Sequence, residues 1–252
     1  MNAMSAFEKF TASQTTQICP VHKTVMIQMF NRVFCKTCAV ESVKQGNVDH
    51  DVSVNEMVRK NHFAGAKLPE RHAECGFKNY QVTNDGQQFA KESCLKYAKA
   101  INSGATGNMV LVGRTGTGKT HLACAVARNV LDTRKFARYV TSEQMATDIA
   151  DAWKRVDDNE ASAIYRYTEY DLLIVDEYGL HDQHEKILQL VHKVLYARYD
   201  AKKSTMIISN WTLEQLKENL GDRLWSRFQH DGLVVVSCAW ADARIGSGVG
   251  GV

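Results

Sequence analysis

A glycine-rich segment with one lysine and one hydroxyl side chain has the spacing of a phosphate-binding loop. It follows the apolar run MVLV and precedes the helical run HLACAVARNVL. Glycines let backbone N–H groups curl around phosphate oxygens, and the helix N-terminus adds positive partial charge. We expect Lys119 to reach the β- and γ-phosphates and Thr120 to ligate magnesium. A glycine-rich turn with an incidental lysine is the alternative, which the order strand, loop, helix disfavours. The predicted phosphate-binding residues are Gly113, Arg114, Thr115, Gly116, Thr117, Gly118, Lys119 and Thr120.

Two acids end the later apolar run LLIVDE. A buried strand here would deliver Asp176 to the magnesium shell, and Glu177 could polarise an attacking water as general base. Acids often follow strands at exposed turns, so the pair means little alone. Behind a phosphate-binding loop it predicts a Walker B strand.

Three polar residues further along could complete a hydrolytic site. Asn210 ends the apolar run MIIS, where its amide could touch the γ-phosphate or the lytic water; the alternative is a residue that caps the next helix. Arg223 and Arg227 stand four residues apart, so they share one helix face. Either arginine could act on the ATP of a neighbouring subunit, although surface arginines are usually only solvated.

A second cluster of chemically capable residues lies near the N-terminus. Cys19 and His22 form one pair, twelve residues follow, and Cys35 and Cys38 form a second pair. This spacing suits tetrahedral zinc, with the segment from Val25 to Phe34 as a hairpin that closes the site. The alternative is incidental cysteines beside a chance histidine. The remaining cysteines lie in or near core patterns and are interpreted as buried thiols: Cys75, Cys94, Cys124 and Cys238.

The elements that would position these residues alternate between strand and helix. Apolar runs at MVLVG, ARYVT, DLLIVDE, TMIISN and LVVVSC are separated by amphipathic stretches. This alternation predicts an α/β fold with a parallel sheet and helices on both faces. Thr141 with Gln144 resembles a capping box that opens a helix ending near Val156. Residues 41–62 predict a polar helix in the N-terminal part.

The predicted organisation has four segments. They are an N-terminal zinc-binding and partner-docking module at 1–62, a connector at 63–80, an ATPase domain at 81–246 and a flexible tail at 247–252.

Composition sets the broad class. Of 252 residues, 44% are apolar and 23% charged, which is typical of globular proteins and excludes wholesale disorder. The formal net charge of +3 is too small to indicate a nucleic-acid binder by itself. Neither a membrane span nor a secretory signal is recognisable, so we expect a cytoplasmic protein.

Taken in order, the motifs resemble the DnaC family of replicative helicase loaders, within a wider group that includes DnaA-type initiators and IstB transposition helpers. The resemblance covers about residues 60–245 and rests on CGFKNY, GRTGTGKTHLACAVA, LLIVDEYG, SN at 209–210, GDRLWSRF and WADAR. It implies an AAA+ core with a five-stranded parallel sheet, ATP and Mg²⁺ as cofactors, and ATP-dependent self-association. It also implies that Arg223 is the arginine finger and Arg244 the second sensor.

The same resemblance implies a loader that delivers a hexameric replicative helicase onto single-stranded DNA and leaves on hydrolysis. The predicted zinc site is a departure from the best-known bacterial loader. Trp153, Lys154 and Arg155 could stack a base and touch phosphate, although the residues alone favour the alternative of stabilising cations at a helix C-terminus.

Two other functions fit the motifs. One is a transposition or initiation ATPase acting on duplex DNA. The other is a non-enzymatic adaptor, which the intact Lys119, Asp176 and Glu177 argue against.

Overall fold

The computed structural model describes residues 13–29, 31–180 and 185–242. The chain divides into two compact units, Met1–Val58 and Arg59–Val252. The boundary lies within a long helix, and the four-segment division expected from the sequence stays a prediction. Across the described ranges, no helix is both long and apolar enough to cross a membrane.

The first unit holds a small antiparallel sheet. Its strands are β1 (Ser13–Ile18), β2 (Val25–Met29) and β3 (Arg32–Phe34), in the order β1-β2-β3. β2 and β3 pair as the expected hairpin, with Ile27 opposite Phe34. Helix α1 (Lys36–Ala66) follows and is longer at both ends than the helix predicted over 41–62.

The second unit is built on a five-stranded parallel sheet with the order β5-β6-β7-β4-β8. Its strands are β4 (Asn108–Gly113), β5 (Ala137–Thr141), β6 (Leu172–Tyr178), β7 (Ser204–Ser209) and β8 (Leu233–Cys238). A 3-10 helix at Glu70–His72 precedes helices α2 (Asp85–Asn102), α3 (Lys119–Leu131), α4 (Ser142–Ala152), α5 (Glu160–Thr168), α6 (Glu185–Asp200) and α7 (Leu213–His230).

The sheet is apolar on both faces because helices cover both. Along β4, Met109 and Leu111 join one core with residues of α2 and α3. Val110 and Val112 join the opposite core with residues of α4 to α7. Side chains alternate between faces along a strand, so a continuous apolar run is what a doubly covered parallel strand requires. The predicted α/β class and five-stranded sheet are confirmed.

Parallel pairing brings the carboxyl ends of β4, β6 and β7 to one edge of the sheet. Val112 lies opposite Ser209, and Val175 lies opposite Ile207. Open α/β sheets bind ligands outside the carboxyl ends of their strands. The loops after these three strands are the ones that carry the predicted phosphate loop, the acid pair and Asn210.

Helix α4 begins where expected and ends early. Thr141 caps it by accepting a 3.2 Å hydrogen bond from the Gln144 N–H, but the helix stops at Ala152 rather than near Val156. Asn159 caps α5 by accepting from the Ser162 N–H at 2.9 Å, and Arg166 forms two hydrogen bonds of 2.8 Å with Asp158. Because Asp158 and Asn159 form these hydrogen bonds with residues of α5, the chain leaves α4 early and begins a second helix.

Candidate functional site

The phosphate loop joins β4 to α3 as the motif requires. Gly118 precedes α3 with φ of 86°, a left-handed backbone that favours glycine, and a Cβ there would meet the Tyr80 ring at 3.1 Å. Lys119 is buried, and its Nζ donates to the carbonyl oxygens of Gly113 and Arg114 at 2.6 and 2.8 Å. The lysine is therefore held beneath the loop, beside the N-terminus of α3.

The segment after β8 packs against the same loop. Trp240 Nε1 donates a 2.8 Å hydrogen bond to the Thr117 carbonyl. At Gly116, where φ is 78°, an added Cβ would fall 1.9 Å from the Asp242 carboxylate. Trp240 and Asp242, which belong to one sequence motif, therefore pack directly against the phosphate loop. Arg244, assigned above as the second sensor, lies outside the described residues.

Asp176 at the end of β6 accepts three hydrogen bonds. Thr120 Oγ1 donates to Oδ2 at 3.0 Å, Tyr139 OH donates to Oδ2 at 2.6 Å, and the Glu177 N–H donates to Oδ1 at 2.7 Å. Burial, and then the negative charge of Asp176, raise the pKa of Tyr139, which keeps the phenol protonated as a donor. The carboxylate and the Thr120 hydroxyl thus form a preassembled pair of oxygen ligands suited to Mg²⁺.

Glu177 differs from Asp176 in being exposed. Its φ of 56° places it in the left-handed region, at the register shift between Val175 and Tyr178 in the pairing of β6 with β7. The Glu177 carbonyl accepts from the Leu180 N–H at 3.1 Å and from Ser142 Oγ at 3.3 Å. A non-glycine residue in this region costs free energy, and such strain clusters at functional sites.

Asn210 lies next to the lysine, as a sensor would. Its Oδ1 accepts a 3.0 Å hydrogen bond from Lys119 Nζ. The alternative role of helix cap belongs to Thr212, which forms a reciprocal capping box with Gln215 at the start of α7.

A cleft of about 720 Å³ opens over these residues. The connector turn forms part of its wall, which the sequence did not predict. Tyr139 was also missed, because its contact with Asp176 depends on the pairing of β5 with β6. The lining residues are Pro69, Arg71, His72, Thr115, Gly116, Thr117, Gly118, Lys119, Thr120, His121, Tyr139, Thr141, Asp176, Glu177, Leu180 and Asn210.

The two arginines of α7 have different surroundings. The helix is kinked at Gly221, with φ of 73° and ψ of 158°, just before both of them. The Arg227 guanidinium lies over the rings of Tyr196 and Tyr199, at 4.7 and 5.1 Å from their centroids. Arg223 is exposed and has no hydrogen-bond or ion-pair partner among the described residues. Arg223 is therefore the one available to a neighbouring molecule.

The four predicted zinc ligands converge in the first unit. One ligand atom from each of Cys19, His22, Cys35 and Cys38 lies within 4.8 Å of all the others. The Cys19 and Cys38 sulfurs are 3.7 Å apart, and a tetrahedral zinc with Zn–S bonds of about 2.3 Å requires about 3.8 Å. His22 turns Nδ1 toward the sulfurs, while its Nε2 is 3.2 Å from Glu41 Oε1. The donor set and its geometry fit zinc.

The electrostatics of the four-residue cluster also favour a bound divalent cation. A hydrogen bond from Thr24 Oγ1 to the Cys35 sulfur lowers the pKa of Cys35 to about 6. The neighbouring Cys19 sulfur and burial raise the pKa of Cys38 to about 11, because adjacent thiolates repel one another. A divalent cation among the sulfurs removes that repulsion.

The remaining thiols are structural. Cys94, Cys124 and Cys238 are buried, and Cys75 is half-buried. Burial raises the pKa of Cys124 to about 12 and that of Cys238 to about 11. Buried thiols were expected at all four positions, and Cys75 is the one that is only half-buried.

The basic-aromatic stretch after α4 is partly neutralised. Trp153 is 61% exposed, as base stacking would require. Lys154, however, pairs with Asp151 at 2.7 Å, and Arg155 is 3.5 Å from Asp158. The geometry therefore leaves DNA contact at this stretch a prediction.

Comparison with known proteins places the chain in a family. Residues 37–236 match the family described as IstB-like ATP binding protein. YdaV of Escherichia coli K12 is 29% identical over 175 residues, covering 69% of each chain. The replicative helicase loader DnaC of the same strain is 25% identical over 173 residues, covering 69% of this chain and 70% of the loader.

Solved structures agree on the fold. The DnaC helicase loader superposes with a TM-score of 0.59 at 20% identity, covering 67% of this chain and 99% of that one. The replication initiator DnaA, bound to AMPPCP and single-stranded DNA, gives a TM-score of 0.56 at 21% identity. The match covers 68% of this chain and 51% of the DnaA chain. Cys19, His22 and Cys35 precede the residues matched by the family. With most of its length matched and a P-loop and Walker B strand brought together, the chain belongs to the IstB-like ATP-binding family and is an AAA+ ATPase homologous to the DnaC helicase loaders.

Proposed function

We propose that the chain is an ATP-dependent loader that delivers a hexameric replicative helicase onto single-stranded DNA during replication initiation, with hydrolysis driving release. One observation carries this proposal: Lys119, Thr120, Asp176, Glu177 and Asn210 line a single cleft of a chain homologous to DnaC loaders.

The residues of the cleft divide the work of hydrolysis. Lys119 and the loop N–H groups hold the phosphates, and Thr120 with Asp176 holds Mg²⁺, which when bound neutralises developing charge on the phosphate oxygens. Glu177 is the general base, because it is exposed at the cleft beside the buried Asp176. Asn210 links Lys119 to the end of β7 and senses the terminal phosphate. Arg244 is proposed as the second sensor.

Arg223 acts on the ATP of an adjoining subunit. The kink at Gly221 turns the second half of α7, and the free guanidinium of Arg223 is exposed on it. An arginine supplied by a neighbour stabilises transition-state charge, which makes hydrolysis depend on self-association.

The N-terminal unit is the docking element for the helicase. Zinc held by Cys19, His22, Cys35 and Cys38 would order the small sheet, whose own core is minimal. Three apolar side chains stand out from it: Ile18, Val21 and Val25 are 62%, 72% and 49% exposed. Exposed apolar groups clustered on so small a unit favour a protein partner.

Loading is tested with the replicative helicase encoded in the same genome. We expect the chain with ATP to form a complex with the helicase that survives gel filtration. We also expect it to raise helicase occupancy on circular single-stranded DNA. Helicase occupancy that does not respond to the chain, in the presence of ATP, would rule out loading.

The family description supports one alternative, an IstB-like transposition helper or DnaA-like initiator that acts on duplex DNA. The two functions differ in the nucleic acid that stimulates ATP hydrolysis. Stimulation by single strands favours the loader, and stimulation by duplex DNA favours the alternative.

A further inference from the structure

Part of the wall of the nucleotide cleft belongs to the connector. Pro69, Arg71 and His72 line the same cleft as Lys119 and Glu177. They come from the 3-10 helix Glu70–His72 and the proline before it, forty-odd residues ahead of the phosphate loop in sequence. A cationic side chain thus enters the cleft from a segment outside the P-loop and Walker B motifs.

The turn that carries Arg71 is held firmly. The N–H groups of His72 and Ala73 donate to the carbonyls of Pro69 and Glu70 at 2.8 and 3.1 Å. The Cys75 N–H donates to the His72 carbonyl at 3.0 Å. These bonds leave the backbone around Arg71 little freedom to move.

The connector is also fastened to α3, the helix that starts at Lys119. The Arg128 guanidinium donates to the Ala73 carbonyl, and His121 Nε2 lies 3.0 Å from the Gly76 carbonyl oxygen. Both side chains belong to α3. Arg71 is therefore fixed relative to the phosphate loop by the same helix whose N-terminus would face the phosphates.

Arg71 is available for a ligand. It is exposed and has no hydrogen-bond or ion-pair partner among the described residues. Lys119, by contrast, already donates to two carbonyls and to Asn210. Among the residues that line the cleft, Asp176 and Glu177 supply negative charge. The exposed guanidinium of Arg71 is therefore free to donate hydrogen bonds to a phosphate oxygen in this cleft.

The lining residues indicate which phosphate Arg71 would meet. Those beyond the phosphate loop include Thr141, Asp176, Glu177 and Asn210, which lie at or near the carboxyl ends of β5, β6 and β7. This is the end of the cleft where Thr120 and Asp176 are paired and where the general base lies. Arg71 lines the cleft together with these side chains, which makes the terminal phosphate its expected partner rather than the adenine.

We propose that Arg71 contacts the terminal phosphate of the ATP bound by its own subunit and makes the site prefer ATP over ADP. This inference rests on the ATP site of the proposed function. It assigns to Arg71 a role in cis that differs from that of Arg223, which acts on a neighbour.

The test measures the affinity of the full chain for Mg²⁺ with ADP and for Mg²⁺ with the β,γ-imido analogue of ATP. Charge-assisted contacts to phosphate are strong, so Arg71→Ala should weaken binding of the analogue by about tenfold and leave ADP binding nearly unchanged. Arg71→Lys should recover part of the loss. Lys78→Ala, an exposed connector cation outside the cleft, is the matched control and should change neither affinity.

Each other outcome overturns the proposal in a different way. If Arg71→Ala weakened the binding of both nucleotides equally, Arg71 would not contact the terminal phosphate. Unchanged affinities in Arg71→Ala, with a wild-type chain that binds both nucleotides, would remove Arg71 from the site while leaving the ATPase assignment intact. A wild-type chain that binds neither nucleotide would instead overturn the ATP site itself.

Discussion

Thr120 and Asp176 are 56 residues apart in sequence, and Thr120 Oγ1 donates a 3.0 Å hydrogen bond to Asp176 Oδ2. Thr120 lies in the first turn of α3 and Asp176 lies near the end of β6, so the bond joins the phosphate-loop helix to the acid strand. Both oxygens are positioned by backbone elements of the sheet edge. The fold itself therefore positions the two oxygens that we propose as magnesium ligands.

Lys119→Ala and Glu177→Gln should separate binding from hydrolysis. Lys119 is the buried cation at the loop, so its loss should abolish tight ATP binding. Glu177 is exposed and contributes a base rather than a phosphate contact, so Glu177→Gln should bind ATP normally and hydrolyse it at least a hundredfold more slowly, by the usual size of general-base effects of roughly 10²–10⁴. Nucleotide titration and single-turnover hydrolysis measure the two effects. If both variants lost ATP binding equally, Glu177 would be a structural residue and not the general base.

Tyr139→Phe should weaken magnesium binding. The Tyr139 hydroxyl donates at 2.6 Å to the carboxylate of Asp176, and outer partners of this kind orient metal ligands. We expect the Mg²⁺ concentration needed for half-maximal hydrolysis to rise by about tenfold, the lower end of effects for such partners. Tyr165→Phe is the control, since Tyr165 is 62% exposed. An unchanged magnesium requirement would show that Thr120 and the Glu177 N–H hold Asp176 sufficiently.

Arg223→Ala should lower hydrolysis without lowering nucleotide affinity. If Arg223 serves a neighbouring site, mixing this variant with Glu177→Gln should restore part of the activity at mixed interfaces. Arg227→Ala makes an informative comparison, because Arg227 packs on Tyr196 and Tyr199 and its loss should reduce stability instead. Failure of complementation in a chain shown to self-associate would exclude Arg223 as the finger.

Zinc removal should unfold the first unit and spare the second. The predicted ligands come from a small sheet and the start of α1, whereas the ATPase unit has its own two-sided core. Cys35→Ser should lose zinc and helicase binding yet keep ATP binding, as seen by metal analysis, pull-down and nucleotide titration. Cys94→Ser, at a buried thiol outside the cluster, should retain zinc.

The same site should respond to acid. The pKa of Cys35 is about 6, so protons compete with zinc for this thiolate as the pH falls through that value. Zinc should therefore be retained at neutral pH and lost progressively under acidic conditions. Protein purified under reducing conditions that contains no zinc would eliminate the metal site, and intact helicase binding by Cys35→Ser would eliminate its docking role.

Local sequence was enough to predict the parts of the site that lie within single elements. The phosphate loop needs glycines, a lysine and a hydroxyl in one stretch, and the acid pair needs one buried strand. The contacts of Tyr139 and Arg71 were missed because they depend on which strand neighbours β6 and on how the connector packs on α3. The early end of α4 was missed for a related reason, since Asp158 and Asn159 find partners in the following helix.

The strand order of the sheet has a consequence for biosynthesis. β4 carries the phosphate loop, yet its two neighbours are β7 and β8, the last strands of the sheet to be translated. A nascent chain displaying the glycine-rich loop has no partner for either edge of β4 until nearly the whole second unit has emerged from the ribosome. Long-range parallel pairing of this kind is slow and leaves apolar strands exposed meanwhile. Nucleotide binding must therefore come late in the maturation of this protein, after translation of the catalytic motifs is already complete.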